Sequence, residues 1–248
     1  MSRAWTTLAR MTQRDVNRSR RFLLAAIPGM ALGVPAMALG AVACGSKSDS
    51  LKDFSPPDPD TPDAALAVLL AGNARFAVRT PEIRDVAQID ALWGSGIAKQ
   101  QEPFATVLGC ADSRLAPEII FDQFVGDIFV AREAGNIAVS PTNLGSLEYG
   151  NAVLGSKVLV VLGHSDCGAV KAAFTDATPG GNIQSIVDAI KPGIAGAASL
   201  DDAIVRNVGA VIAGIRANSP LLRDAEKAGR VKIVGAVYDI KTAKVRVL

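Results

Sequence analysis

Histidine occurs once in this chain, at position 164, and cysteine three times, at 44, 110 and 167. An odd, widely spaced cysteine set excludes a disulfide framework. Aromatic residues make up only 5 % of the sequence, while Ala, Val, Leu and Ile are abundant. That balance excludes a disordered chain and suits helices layered on a sheet. No basic surface is available for nucleic acid either. The net charge of +2 comes from residues 1–43, which carry six arginines and one aspartate; the rest holds 20 basic against 23 acidic residues,. No internal repeat is found, and 248 residues suffice for one sizeable α/β domain with its own core.

The N-terminal region reads as a leader. Arg20-Arg21-Phe22-Leu23-Leu24 precedes an apolar, small-residue run from Ala25 to Ala43, the pattern of a twin-arginine (Tat) export signal. The competing reading is a signal-anchor helix retained in the membrane; Pro28, Pro35, Gly29, Gly33 and Gly40 weaken it. Ala41-Val42-Ala43-Cys44 resembles a bacterial lipobox, with Ala41 where leucine is usual. In that reading Cys44 becomes the acylated N-terminus, although Ala41-x-Ala43 also fits ordinary signal-peptidase cleavage at the same bond. Ser46 to Asp60 is polar and Pro-rich, as a tether would be. The expected organisation is a signal peptide over 1–43, a tether over 44–62 and a catalytic domain over 63–248. The expected location is extracytoplasmic, with the membrane touched only through the signal peptide or a lipid anchor.

Within the domain, apolar strands alternate with helical patterns. Thr61-Pro62-Asp63 is a helix start, with a capping hydroxyl, proline at the first position and an acid in the first turn. The helix runs through Gly72-Asn73-x-Arg75-Phe76, which alone reads as an amphipathic surface helix. Strands are expected over 104–109, 127–131 (buried), 157–162 (covered on both faces), 231–239 and 244–247, the last two as an edge hairpin. Helices are expected over 116–122, 143–154 (Leu144, Leu147 and Tyr149 facing the core), 168–174, 182–191, 200–217 and 220–228. This order implies an α/β fold with a mostly parallel central sheet flanked by helices. Sites in such sheets form beyond the carboxyl ends of the strands.

Two of those strand ends carry the chemistry. The first runs into Cys110-Ala-Asp112-Ser-Arg114 and the second into Gly163-His164-Ser-Asp-Cys167-Gly168. Cys110, His164 and Cys167 form a catalytic-zinc set with a place for a fourth ligand. Asp112 stands close enough to bind the metal itself, which would close that place. Paired instead with Arg114 by a bidentate fork, it would accept a hydrogen bond from a zinc-bound hydroxide and orient it. A closed Cys₂-His-Asp zinc that only staples the fold is the alternative; structural sites favour close Cys-x₂₋₄-Cys spacing, which is absent. Export by Tat suits this chemistry, because a domain loaded with zinc before crossing has its thiolates already ligated.

At these residues the sequence resembles the β-class carbonic anhydrases. Further matches are Gly126-Asp-Ile-Phe129, Arg132-x-Ala134-Gly135-Asn136, Ser146-Leu147-Glu148-Tyr149 and Gly235-x-Val-Tyr238-Asp239. The resemblance implies one zinc per subunit, held by Cys110, His164 and Cys167, and the reversible hydration of CO₂ to bicarbonate and a proton. It makes Asp112 and Arg114 the dyad. It places Phe129, Ala134 and Tyr149 along a small apolar pocket and the Gly168 N–H facing substrate. Gln101 matches a glutamine that reaches substrate from the neighbouring subunit, so the resemblance implies a homodimer or a higher homo-oligomer. Glu133 departs from the family, where asparagine is common, and puts an acid near the pocket. The Trp-Arg-Tyr bicarbonate site of allosteric members is not recognisable, and no inhibition of that kind is expected. Without a second histidine, proton release is expected to lean on buffer, water and carboxylates. Two other functions fit the same residues: hydrolysis of carbonyl sulfide or carbon disulfide, and zinc binding by a non-enzymatic surface lipoprotein. The Asp112–Arg114 pair argues against the second.

Overall fold

Five strands form one sheet in the order β2-β1-β3-β4-β5. They are β1 (Ala105–Gly109), β2 (Ile128–Arg132), β3 (Val158–His164), β4 (Lys232–Asp239) and β5 (Lys244–Val247). The first four are parallel and β5 returns antiparallel along β4. The computed structural model describes residues 57–82, 90 and 100–248; the expected export signal, Cys44 and most of the expected tether lie outside them. Among the described residues no helix is long and apolar enough to cross a membrane.

The central strands are buried on both faces, which is why their sequence is apolar without alternation. Every residue of β1 and β3 is buried. The pleat still sorts them. Val158, Val160 and Leu162 join one core cluster, and Leu159 and Val161 join the other. The first cluster lies under α1 (Pro62–Ala77), α4 (Gly168–Phe174) and α5 (Gly181–Ile190). The second lies under α3 (Pro141–Glu148), α6 (Leu200–Asn218) and α7 (Pro220–Lys227). A short α2 (Pro117–Ile120) follows β1.

Helix α1 begins as expected, its Thr61 hydroxyl accepting from the Ala64 N–H at 3.2 Å,. Its later half is no surface helix. A Cβ on Gly72 would lie 1.8 Å from Phe121 O, so the helix backbone rests directly on the chain leaving α2. Beside it, the buried Asn73 amide donates to Ile120 O and Ala243 O, both at 3.0 Å, and accepts from Val245 N–H at 2.8 Å. One side chain thus ties α1 to α2 and to the last strand.

Two other elements differ from expectation. Strand β2, expected to be buried, is the sheet edge, with Phe129, Val130 and Ala131 half-buried and Arg132 exposed. The helix expected over 143–154 starts at Pro141, capped by the Ser140 hydroxyl, and turns into a π-helical turn over Tyr149–Val153,. Leu144 and Leu147 are buried, but Tyr149 is 45 % exposed. A Cβ on Gly150 would lie 2.5 Å from Thr106 Oγ1 and 2.9 Å from Phe129 Cδ1. The wide turn seats this glycine on the sheet.

Candidate metal centre

Adjacent parallel strands bring the two chemical motifs together. Gly109 pairs with Leu162 in the β1–β3 register, so Cys110, one residue beyond β1, lies beside the end of β3 where His164 stands. The chain then turns sharply, with Asp166 in the left-handed region at φ 52°, and returns Cys167 as the N-cap of α4. The ligand atoms of Cys110, His164 and Cys167 all lie within 4.8 Å of one another, and all three residues are buried. Among the described residues this is the only such group.

Histidine 164 is held for metal binding by its own backbone. Its Nδ1 lies 3.0 Å from Ser165 O. A carbonyl only accepts, so the proton sits on Nδ1 and the Nε2 lone pair is free. Nε2 is buried without a protein partner, a cost that a cation on that lone pair removes. Both cysteines are free and buried. The Cys110 sulfur receives the Gly135 N–H at 3.2 Å and the Asp112 N–H at 3.4 Å. The Cys167 thiol donates to Cys110, which lowers the Cys110 pKa and raises that of Cys167, with burial raising the latter further. Two thiolates, a neutral imidazole and a buried position suit zinc well.

Asp112 is turned away from this cluster. Its carboxylate takes Arg114 Nε on Oδ1 at 2.9 Å, Arg114 Nη2 on Oδ2 at 2.7 Å and the Arg114 backbone N–H on Oδ1 at 2.9 Å. These bonds hold its carboxyl below the usual carboxylate range despite partial burial,. Arg114 Nη2 also donates to Asp166 O at 3.3 Å, linking the two ligand-bearing loops. The arrangement leaves the fourth metal position free of Asp112.

The remaining residues singled out in the sequence are placed less uniformly. The Phe129 and Tyr149 rings lie 6.1 Å apart, tilted by 49°. Ala134 opens a 3₁₀ turn (Ala134–Asn136), and Gly168 opens α4 with its Cβ position unobstructed. Gln101 is exposed and precedes β1, at the strand end opposite Cys110, so it does not join the cluster of its own chain. Glu133 accepts from Asn143 Nδ2 at 3.3 Å, tying β2 to α3. Three contributors were not singled out by residue type. Gly135 supplies an N–H to the thiolate, Ser165 orients the imidazole, and Arg132 donates to Cys110 O at 3.0 Å and Asp112 O at 2.6 Å. The signal for two of them was the Arg132-x-Ala-Gly-Asn run itself, where a Gly-Asn pair marks left-handed backbone; φ is 73° at Gly135 and 47° at Asn136,.

Comparison with known proteins gives concordant results. A family model described as carbonic anhydrase matches residues 105–245. Carbonic anhydrase 2 of Mycobacterium tuberculosis is 39 % identical over 188 residues, covering 72 % of this chain and 89 % of the relative. The carbonic anhydrase of Mycolicibacterium smegmatis is 36 % identical over 193 residues, covering 74 % and 92 %. Among solved structures, a Coccomyxa β-carbonic anhydrase in complex with acetazolamide superimposes with a TM-score of 0.57 at 28 % identity, covering 74 % of this chain and 86 % of that one. Two tetrameric β-carbonic anhydrases from the ascomycete Sordaria macrospora give 0.59 at 24 % identity, covering 74 % and 96 %; they share the fold.

Proposed function

The chain belongs to the β-class carbonic anhydrase family, and we propose from that premise that it is an exported enzyme interconverting CO₂ with bicarbonate and a proton. The observation that carries the activity is the buried Cys110–His164–Cys167 cluster with Asp112 held off it by Arg114. Zinc bound there, one ion per subunit, supplies the Lewis acidity that makes water a nucleophile near neutral pH.

The chain's own groups do the rest. The Gly135 and Asp112 N–H groups donate to the Cys110 sulfur and favour its thiolate form,. The Ser165 carbonyl fixes the imidazole. The Asp112 carboxylate, ionised and clamped by Arg114, is the acceptor that orients the attacking water. Phe129, Ala134 and Tyr149 form apolar walls suited to a small linear substrate, and the first N–H of α4, at Gly168, faces the product anion. The product proton leaves through water and buffer, because the only imidazole is a ligand.

A homodimer is the minimal unit of this reading. Its support is the half-buried β2 edge, the exposed Val125 just before it and Tyr149 beside its Phe129, and Gln101, exposed at the strand end opposite its own cluster. Tat export and acylation of Cys44 rest on Arg20-Arg21, the apolar run to Ala43 and the small residues before Cys44. They place the enzyme outside the cytoplasm, anchored by lipid. The deciding experiment is stopped-flow CO₂ hydration by the zinc-loaded protein, with sulfide release from carbonyl sulfide and carbon disulfide measured alongside. Rapid hydration that depends on zinc is expected. Sulfide release without hydration would move the enzyme to the other substrates, and zinc binding with neither activity would remove the enzymatic reading.

A further inference from the structure

Arg132 is the last residue of β2 and pairs in register with Gly109 of β1. Its side chain therefore has one strand spacing to cross to reach the turn after β1. It crosses as a fork. Nε donates to Cys110 O at 3.0 Å and Nη2 to Asp112 O at 2.6 Å. These carbonyls bracket the turn that carries a thiolate ligand at one end and the dyad carboxylate at the other. Asp112 O is also the acceptor for Leu115 N–H at 3.0 Å, so this oxygen is where the turn closes. The same turn aims the Asp112 N–H at Cys110 Sγ and the Asp112 side chain at Arg114.

Resting on the zinc reading above, we infer that Arg132 is a positioning residue that holds the Cys110–Asp112 turn in the form that keeps the Asp112 carboxylate on Arg114 and off the metal. Arg114 grips the carboxylate; Arg132 grips the backbone that presents it. Two parallel donors on a planar guanidinium fix both carbonyls at once, and a lysine ammonium, a point donor on a flexible stem, does not. Without the fork the turn relaxes, and Asp112 competes for the fourth metal position with any exogenous ligand.

The test uses azide binding to the full chain carrying Co(II) in place of zinc, followed by the visible spectrum, with thermal unfolding recorded in parallel. Azide needs the position that Asp112 would take. Arg132→Ala is expected to weaken azide binding tenfold or more, and in an Asp112→Ala background the same change is expected to have no effect. Arg132→Lys keeps the charge and loses the fork, so its azide affinity is expected near that of the alanine variant. A lysine variant that binds azide like the wild type reduces the effect to bulk charge and overturns the inference. So does an alanine variant with wild-type azide affinity and only a lower unfolding temperature. If the alanine variant does not fold, the lysine variant alone decides on the same criterion. Wild-type protein that takes up no Co(II) overturns the metal-centre reading itself and this inference with it.

Discussion

Replacing Gly135 with alanine tests how the core holds the thiolate's hydrogen-bond donor in place. At φ 73° an alanine sits in the left-handed region, at a cost of roughly 1–2 kcal/mol. Its Cβ would also lie 2.6 Å from Ile190 Cδ1 and 3.3 Å from Ala169 Cβ. Ile190 is only 1 % exposed and cannot swing aside freely, so overpacking adds about 1–3 kcal/mol. The total loss is about 2–5 kcal/mol. The two parts separate experimentally, because Ile190→Val removes the atom in the way. That change alone costs about 0.5–1.5 kcal/mol. In its background, Gly135→Ala is expected to cost only the backbone part, so the pair couples favourably by roughly 1 kcal/mol or more. Urea unfolding of the four proteins at one fixed free-zinc concentration measures this, since bound metal otherwise shifts the midpoint. Strictly additive losses would refute the contact with Ile190. A Gly135→Ala loss under about 0.5 kcal/mol would refute the backbone argument as well.

Asn73→Ala strands two buried carbonyls and one half-buried N–H and is expected to cost about 3 kcal/mol or more in urea unfolding; a loss under about 1 kcal/mol would show that water replaces the amide. Zinc affinity is expected to rise with pH, since zinc takes both cysteines as thiolates and the Cys167 thiol is raised by its hydrogen bond to Cys110 and by burial,. Chelator competition across pH reads the slope, and an affinity that does not change with pH would refute the displacement of a thiol proton. Asp112→Asn is expected to lower kcat/KM for CO₂ hydration about a hundredfold or more, and a drop under threefold in stopped flow removes Asp112 from the chemistry.

The strands that build the site were legible because each is an apolar run ended by residues of another kind. Leu108-Gly109 stops at Cys110 and Leu162-Gly163 stops at His164, and parallel topology puts both stops at one end of the sheet. The helix start at Thr61 was legible from its capping hydroxyl, which the structure shows accepting from the Ala64 N–H. What periodicity does not carry is the identity of a neighbour. Asn73 reads as a polar residue on a helix, yet its partners Ala243 and Val245 lie at the far end of the chain. Strand β2 is apolar enough for a central position; only the strand order makes it an edge. Tyr149, five residues after Leu144 and two after Leu147, falls off the face those leucines share, and the π-helical turn begins at it,. Arg132 reads as a solvated charge, and its fork becomes visible only when the β1 turn is beside it.

Cys110 and His164 belong to neighbouring strands whose residues are paired one to one from Ala105↔Val158 to Gly109↔Leu162. A slip of a single residue between these strands would carry one ligand roughly 3.3 Å past the other and reverse the faces of its strand. The cation therefore acts as a proofreader of strand alignment: only the correctly threaded sheet offers it three ligands together. Binding of the ion and completion of the sheet are thereby coupled, so that weakening either weakens the other.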